Sequence, residues 1–273
     1  MFYVTGDTHG DFRRFAKKGA FRKKCAPGEK DYVIVCGDFG LLWSRSGTLD
    51  YNLEIMADYP FTLLWIQGNH ENYDMIAEYP VEQWKGGKVR HILRDKVILL
   101  ERGQIFHIDD TSFYTFGGAS SHDIQGGVLD RDAPDYEEKK NHAHIFNLPY
   151  RVRNLSWWEA ELPTDAELQE GIRNLEKADN QVDYILTHCP SGWGMRAVFR
   201  SMGLPPGSNY GFEEDVLTRF FDTLEEKVQF RHWFFGHMHE DLTIDEHHTL
   251  LYHGIVRLKK EDKFGYEIAF AGE

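Results

Sequence analysis

The sequence predicts a mixed α/β fold in which parallel strands alternate with helices and antiparallel strands follow. Short apolar runs alternate with helical patterns over the first eighty residues, which is typical of βαβ units around a largely buried parallel sheet. Four further short runs between residues 88 and 118 are separated by turn signals, which indicates antiparallel pairing. The 273 residues contain no linker, low-complexity tract or internal repeat, so we expect one domain.

The first elements follow from their residue types. The runs "MFYVTG", "DYVIVCGD" and "FTLLWIQGN" are apolar, contain β-branched and aromatic residues, and are predicted as strands. Between them, "DFRRFAKKGAFRKK" places Phe12, Phe15 and Ala16 at helical spacing. The segments "LDYNLEIMADY" and "ENYDMIAEY" are predicted as two further helices.

The middle of the chain is predicted to contain the antiparallel strands "KVRHIL", "KVILLE", "GQIFHID" and "TSFYTFGG". Residues 120–155 are polar and show no clear period, so we interpret them as an insertion or lid. The next segment, "TDAELQEGIRNLEKA", is predicted as a helix in which Thr164 and Glu167 form a capping box.

The last part is predicted to continue the strand–helix alternation. "VDYILTH" is interpreted as a buried strand, and residues 191–211 as a loop region with Gly and Pro and room for one short helix. A helix, "EEDVLTRFFDTLEE", and a strand, "FRHWFFGH", follow. The segments from "HHTLLYHGIVRL" to "GYEIAFAG" are predicted as closing strands.

Composition limits the classes of function. The formal charge of −13 argues against non-specific nucleic-acid binding, although metal cations could still attract a phosphate substrate. The three cysteines, Cys25, Cys36 and Cys189, form an odd and sparse set that predicts reduced thiols and a cytoplasmic protein. The first strand is predicted to leave no room for a signal peptide. No apolar run approaches the ~18 residues of a membrane span, so no membrane association is expected.

Five predicted strands end in or are followed by Asp, Asn or His, within the motifs "GDTHG", "GDFG", "GNHE", "THCP" and "GHMH". The carboxyl ends of strands in α/β sheets are where sites are usually built. Glycine precedes the polar residue in four motifs, which permits a sharp turn and a close approach to a ligand. One such residue alone is usually a helix cap or turn former, but five at successive strand ends favour one metal site.

The motifs in this order resemble those of the calcineurin-like metallophosphoesterase superfamily, which reads D-x-H, GD, GNH followed by D or E, H, and GHxH. The resemblance spans residues 6–239. It implies a β-sandwich of two mixed sheets flanked by helices, a four-layer α/β/β/α arrangement. It also implies a single domain over residues 1–273, with the insertion or lid near residues 120–155.

The resemblance further implies a site for two divalent metal ions. Mixed carboxylate, imidazole and amide ligands suit Mn²⁺, which we expect first, and also Fe or Zn²⁺. The family's chemistry implies that the two metals share a hydroxide, which attacks phosphorus in line. One metal would be held by Asp7, His9, Asp38 and His239, and the other by Asp38, Asn69, His188 and His237, so that Asp38 bridges them.

His70 would be the further catalytic residue beside Asp38, because the resemblance assigns it no metal. It would donate a hydrogen bond to phosphate or protonate the leaving oxygen, a role suited to a pKa near neutrality. Glu71 is either a partner of the ligand residues or a solvated residue at a helix start.

The substrate would be a phosphoester, either a monoester or a diester, and a nucleotide is one candidate. Two sets of residues could reach it. The "GGASSHD" loop resembles that of some bacterial family members, and His122, Asp123 and Arg131 belong to this region; ordinary surface positions are the alternative. The segment after His188 contains Arg196, Arg200 and Tyr210, for which ordinary surface charge is the alternative.

Two other functions fit parts of the pattern. A Ser/Thr protein phosphatase would continue its second motif as GDxxDRG, whereas this sequence reads "GDFGLLW" and lacks the arginine. A catalytically silent scaffold of the same fold would be expected to have lost ligands or the active-site histidine, and all are present here. The sequence therefore favours a metal-dependent phosphoesterase over both alternatives.

Overall fold

Two large mixed sheets form the centre of the protein. The computed structural model describes residues 1–205, 207, 212–259 and 265–270. The strands are β1 (Phe2–Thr5), β2 (Tyr32–Val35), β3 (Thr62–Trp65), β4 (Val81–Trp84), β5 (Gly87–Leu93), β6 (Val97–Leu100), β7 (Gln104–Ile108), β8 (Thr111–Phe116), β9 (Val128–Leu129), β10 (Arg151–Val152), β11 (Tyr184–Thr187), β12 (His232–Phe235), β13 (Leu242–Thr243), β14 (His248–Leu250), β15 (Ile255–Leu258) and β16 (Tyr266–Phe270).

Helices lie in the connections between these strands. They are α1 (Ala20–Cys25), α2 (Gly47–Ala57), α3 (Tyr73–Ala77), α4 (Tyr136–Ile145), α5 (Asp165–Lys177), α6 (Gly192–Ser201) and α7 (Val216–Lys227), together with 3-10 turns at Arg13–Phe15 and Glu159–Glu161. Within the described residues, none of these helices combines the length and apolar character needed to cross a bilayer.

The first sheet has the strand order β16-β15-β1-β2-β3-β6-β5-β4, and the second has β13-β14-β12-β11-β8-β7. Strands β1, β2, β3 and β6 are parallel neighbours, with antiparallel strands on both sides. In the second sheet β8, β11, β12 and β14 are parallel, and the edge strands β7 and β13 are antiparallel. Strands β9 and β10 form a small separate pair.

Alternation along the strands separates three apolar layers. In β2, Val33 and Val35 belong to the cluster that includes buried side chains of α1 to α3, whereas Ile34 belongs to the cluster between the sheets. Phe2 of the first sheet packs on Phe113 of the second, with ring centroids 4.9 Å apart. A third cluster joins the second sheet to α5, α6 and α7. The predicted four-layer α/β/β/α class is confirmed.

Most elements predicted from apolar patterns are confirmed, and so is the capping box of α5. Thr164 accepts the N–H of Glu167 at 3.3 Å, and the Glu167 carboxylate accepts the N–H of Thr164 at 2.8 Å. The four strands predicted to be antiparallel form the antiparallel pairs β5–β6 and β7–β8, and the two pairs belong to different sheets. Strand β6 also pairs in parallel with β3, which joins the first hairpin to the parallel strands.

The continuous helix expected in "DFRRFAKKGAFRKK" is wrong. Only the 3-10 turn and the short helix α1 form there, because Ala16 is extended and Gly19 begins α1 as its N-cap. The loop region expected at residues 191–211 contains the ten-residue helix α6. The insertion at residues 120–155 contains β9, α4 and β10, and "VEQW" forms β4, none of which the apolar patterns indicated.

Candidate metal centre

Four predicted ligands form one compact group. Donor atoms of Asp7, His9, Asp38 and His239 all lie within 4.8 Å of one another. His9 Nε2 and His239 Nε2 are 2.9 Å apart, and both approach Asp7 Oδ2, at 3.7 Å and 3.3 Å. These residues follow β1, β2 and β12, so two sheets contribute to one group. The short imidazole–imidazole distance places two nitrogen donors around one point.

The other predicted ligands lie on the opposite side of Asp38. His188 Nε2 is 3.3 Å from Asp38 Oδ1 and 3.2 Å from Asn69 Oδ1. The Asn69 amide donates to Ser121 Oγ at 3.5 Å, so its oxygen remains directed at His188. The ring centroid of His237 is 4.9 Å from that of His188. The structure therefore brings together all seven residues predicted as metal ligands.

The loops that carry these ligands adopt an uncommon backbone conformation. His9, Asp38, His237 and His239 all have positive φ values, between 47° and 73°. This left-handed region is unfavourable for residues with a Cβ and is concentrated at functional sites. Main-chain contacts compensate: His237 N–H donates to Asp7 Oδ1 at 3.1 Å, and the N–H of His70 donates to Asp38 Oδ1 at 2.7 Å.

Two of the motif glycines lie directly against ligand carboxylates. A Cβ added to Gly68 would be 2.1 Å from Asp38 Oδ1, and one added to Gly236 would be 2.1 Å from Asp7 Oδ1. Atoms do not approach so closely, so a side chain at either position would displace a carboxylate. At these two positions the glycine is thus explained by close approach of the backbone to the centre.

The charges of the centre fit divalent cations. Asp7 and Asp38 are buried, and the ion-pair partners that the structure describes for them are histidines. Buried carboxylates require a compensating cation. Burial raises the pKa of Asp38, but His188, His70 and His9 outweigh it and hold the pKa well below its ordinary value. Burial lowers the pKa of His188, but Asp38 and Asp7 outweigh it and raise the pKa to about 9.

A family model described as calcineurin-like phosphoesterase matches residues 1–241, which contain all five strand-end motifs. The chain belongs to the calcineurin-like phosphoesterase family. A search of curated proteins found no match. The resemblance recognised in the sequence is confirmed. Membership of this phosphoesterase family, together with the Asp7–His9–Asp38–His239 group, supports metal-dependent phosphoester hydrolysis as the general chemistry.

His70, the additional histidine of this calcineurin-like phosphoesterase, lies beside the ligand group. Its ring centroid is 4.9 Å from that of His9 and 6.2 Å from that of Trp43. Arg151 Nη2 donates to His70 Nε2 at 2.6 Å. Burial, opposed by Asp38 and assisted by Arg151, lowers the pKa of His70 to about 4 rather than leaving it near neutrality. Arg151 lies in no recognisable sequence motif, so its position beside His70 was not predicted.

Glu71 is not the solvated helix-start residue that was one of its two interpretations. Its side chain is fully buried and accepts the N–H of Phe39 at 2.8 Å and that of Gly40 at 3.4 Å. Burial, followed by the charge of Asp38, raises the pKa of Glu71 well above its ordinary value. Glu71 therefore ties the motif "GNHE" to the loop that carries Asp38.

The residues predicted to contact substrate differ in their positions. His122 stacks on Phe212 with ring centroids 4.1 Å apart, and its centroid is 5.4 Å from that of His237. Asp123 Oδ1 and Oδ2 accept Arg151 Nε and Nη2 at 2.6 Å and 3.0 Å. His122 thus adjoins the centre directly, and Asp123 reaches it through Arg151.

The remaining candidates lie farther out. Arg131 is exposed. Arg196 forms an ion pair with Glu214 at the surface and, with Arg200, lines a cavity of about 480 Å³ beside α6. Tyr210 lies outside the described residues. A second cavity of about 380 Å³ is lined by His122, Phe212 and His237, so it opens onto a predicted ligand.

Proposed function

We propose that the protein is a metal-dependent hydrolase that cleaves a phosphomonoester or phosphodiester. The observation that carries this proposal is the group formed by Asp7, His9, Asp38 and His239, whose donor atoms lie within 4.8 Å of one another. Such a group of carboxylate and imidazole donors, in a member of this family, is suited to bind a divalent cation and to act on phosphate esters.

The proposed cofactors are two divalent cations, with manganese first and iron or zinc as alternatives. Asp38 would serve both, since its Oδ2 is 3.8 Å from His9 Nδ1 and its Oδ1 is 3.3 Å from His188 Nε2. The second cation would be held by Asp38, Asn69, His188 and His237. When bound, the cations would activate water and offset the negative charge of the phosphoryl group.

His70 is proposed to contact the phosphoryl group rather than to protonate the leaving oxygen. A guanidinium has hydrogen-bond donors and no acceptor, so His70 Nε2 accepts the 2.6 Å hydrogen bond from Arg151. That nitrogen therefore carries no proton in this arrangement. His70 is held by Trp43 and His9 from two other directions, which limits the positions its ring can adopt.

The proposed substrate contacts begin with His122, which lines the cavity next to His237. A nucleotide is one candidate substrate, because the ring pair of His122 and Phe212 lies where a base could stack. Residues 120–155 are proposed to act as an insertion or lid that shapes this side of the centre. The three cysteines, all free thiols, support the proposed cytoplasmic location.

The test is metal reconstitution followed by a substrate panel. The purified protein is stripped with a chelator and reloaded with Mn²⁺, Fe²⁺ or Zn²⁺, and metal content is measured by elemental analysis. Turnover is then measured on paired aryl monoesters and diesters, on nucleotides and on phosphopeptides, with the stripped protein as control. We expect turnover to return with about two equivalents of metal. Two bound metals without turnover on any ester would instead identify a catalytically silent scaffold.

A further inference from the structure

Arg151 extends from the insertion at residues 120–155 into the candidate metal centre. It lies in β10, and its side chain is almost completely buried, at 4% exposure. Its partner Asp123 is 41% exposed, so the carboxylate lies on the solvent side and the guanidinium on the inner side. A buried guanidinium requires paired donors, and here the pairing also fixes its direction.

Three contacts determine the orientation of this guanidinium. Asp123 accepts Nε and Nη2 at 2.6 Å and 3.0 Å, and the carbonyl oxygen of Ser156 accepts Nη1 at 2.9 Å. Nη2 also contacts both ring nitrogens of His70, Nε2 at 2.6 Å and Nδ1 at 3.5 Å. Arg151 therefore directs one hydrogen-bond donor at the ring that is proposed to meet the phosphoryl group.

Another arginine approaches the centre but has a different orientation. Arg14 donates to the main-chain oxygens of Asp7 and Tyr252 and to Thr5 Oγ1. In these contacts Arg14 binds main-chain and hydroxyl oxygens of the loops, and its hydrogen bond to Asp7 goes to the main-chain oxygen and not to the carboxylate. Arg151, in contrast, contacts the side chain of His70, whose ring lies next to that of the proposed ligand His9.

We infer that Arg151 is a substrate-binding residue, which donates from Nη2 to a phosphoryl oxygen beside His70, and that Asp123 positions its guanidinium. The inference rests on the proposed function, because the ligand is a phosphate group. Guanidinium–phosphate hydrogen bonds are charge-assisted and directional, which suits a donor held in one orientation. One N–H of Nη2 is used by Asp123 Oδ2 and the other by His70, so a phosphoryl oxygen would accept from Nη2 by taking the place of the His70 contact.

The experiment measures binding directly. Inorganic phosphate is titrated calorimetrically into the protein loaded with Mn²⁺, for the wild type, Arg151→Gln, Arg151→Lys and Asp123→Asn. Arg153→Gln is the matched control, because Arg153 lies two residues away, is 45% exposed and faces Asp130 at 3.9 Å. Elemental analysis and melting temperature show that metals and fold are retained.

We expect Arg151→Gln to raise the phosphate Kd by about tenfold to a hundredfold, the range for one hydrogen bond to a charged group. Arg151→Lys should raise the phosphate Kd less, because lysine keeps the positive charge and loses only the planar set of guanidinium donors. Asp123→Asn should also raise the phosphate Kd less than Arg151→Gln. Arg153→Gln should match the wild type. If Arg151→Gln does not fold, Arg151→Lys and Asp123→Asn decide the question by the same titration.

Wild-type phosphate affinity in folded, metal-loaded Arg151→Gln would overturn the inference and reduce Arg151 to a structural tie for the insertion. A larger loss in Asp123→Asn than in Arg151→Gln would overturn it too, since Asp123 would then be the binding residue. A wild-type protein that neither binds phosphate nor hydrolyses any ester would overturn the proposed function itself, which is a distinguishable result.

Discussion

Replacement of Gly68 by alanine tests whether backbone packing holds the metal ligands in place. The added Cβ would lie 2.1 Å from Asp38 Oδ1, 2.4 Å from Asp38 N and 2.8 Å from His188 Nε2. Contacts below 3.0 Å essentially do not occur, so Asp38 or the Gly68 loop must move by at least about 0.9 Å, the difference between 3.0 Å and 2.1 Å. Rotation of the Asp38 side chain cannot relieve the contact with its main-chain nitrogen.

This displacement is large compared with the tolerance of a metal site. Metal–ligand distances vary by about 0.2 Å, so a shift of this size removes Asp38 from one or both cations. A misplacement of about 1 Å at a reacting centre costs roughly 100-fold in rate. We therefore expect Gly68→Ala to lose metal and to lose at least about 100-fold in turnover while it remains folded.

The assay compares Gly68→Ala with Gly47→Ala. A Cβ at Gly47, the first residue of α2, meets nothing within 4 Å, so this control carries the same chemical change without the clash. Metal affinity is measured by elemental analysis after dialysis at several Mn²⁺ concentrations, turnover with an aryl phosphoester, and folding by circular dichroism. Gly68→Ala with wild-type metal affinity and a rate within about twofold of the wild type would refute the reasoning.

Three further predictions concern single side chains. Asp38→Asn should lose most activity and weaken the occupancy of both metals, because the bridging charge is removed; elemental analysis that finds two metals at wild-type affinity would exclude bridging. His70→Ala should keep both metals and lose about 10- to 100-fold in turnover, the range for one charged hydrogen bond. The loss should be similar for aryl and alkyl esters, and a much larger loss for the alkyl ester would restore the role of acid. Burial, followed by the charge of His248, lowers the pKa of His232 to about 3. As the pH falls below about 6.5, His232 is protonated in the unfolded chain but not in the folded protein, which favours unfolding. The contribution of neutral His232 to the free energy of unfolding is therefore complete above about pH 6.5 and decreases toward pH 3, by up to about 1.4 kcal/mol per pH unit. Urea unfolding of His232→Gln across this range should show a shallower pH dependence than the wild type.

The candidate ligands could be predicted because each is encoded locally. A strand that ends in glycine and a polar residue places that residue at the sheet edge, whatever happens elsewhere in the chain. Asp7, Asp38 and Asn69 follow β1, β2 and β3, which are adjacent parallel strands of the first sheet. His188 and His237 follow β11 and β12, which are adjacent parallel strands of the second sheet. The order of the strands in the two sheets therefore brings the predicted ligands of the five motifs close together, although they are far apart in the sequence.

The elements that were wrong or missed depend on packing rather than on pattern. Phe15 and Phe21 are both fully buried, but a turn at Ala16 and the N-cap Gly19 bring them to the core, and no helical period joins them. Helix α4 has one buried residue, Ala143, so its sequence carries almost no apolar period. Such segments are stabilised by contacts with the rest of the protein, which a local reading of the sequence does not include.

The position of Arg151 could not be predicted from the local sequence. In "YRVRNLS", Arg151 and Arg153 are alike in type and separated by one residue, and nothing local distinguishes them. The structure buries Arg151 against His70, 81 residues away in the chain, and leaves Arg153 half exposed beside Asp130. The difference comes from Asp123 and the Ser156 carbonyl, which accept hydrogen bonds from the Arg151 guanidinium. The Asp123 carboxylate also offsets the free-energy cost of burying the positive charge. The positions of the predicted metal ligands therefore follow from motif and strand order, whereas the positions of the proposed substrate contacts depend on how residues 120–155 fold. Apart from Ser121, which accepts a hydrogen bond from the predicted ligand Asn69, substitutions in residues 120–155 should consequently change which esters are hydrolysed without changing the affinity for metal, as an ester panel and elemental analysis would show.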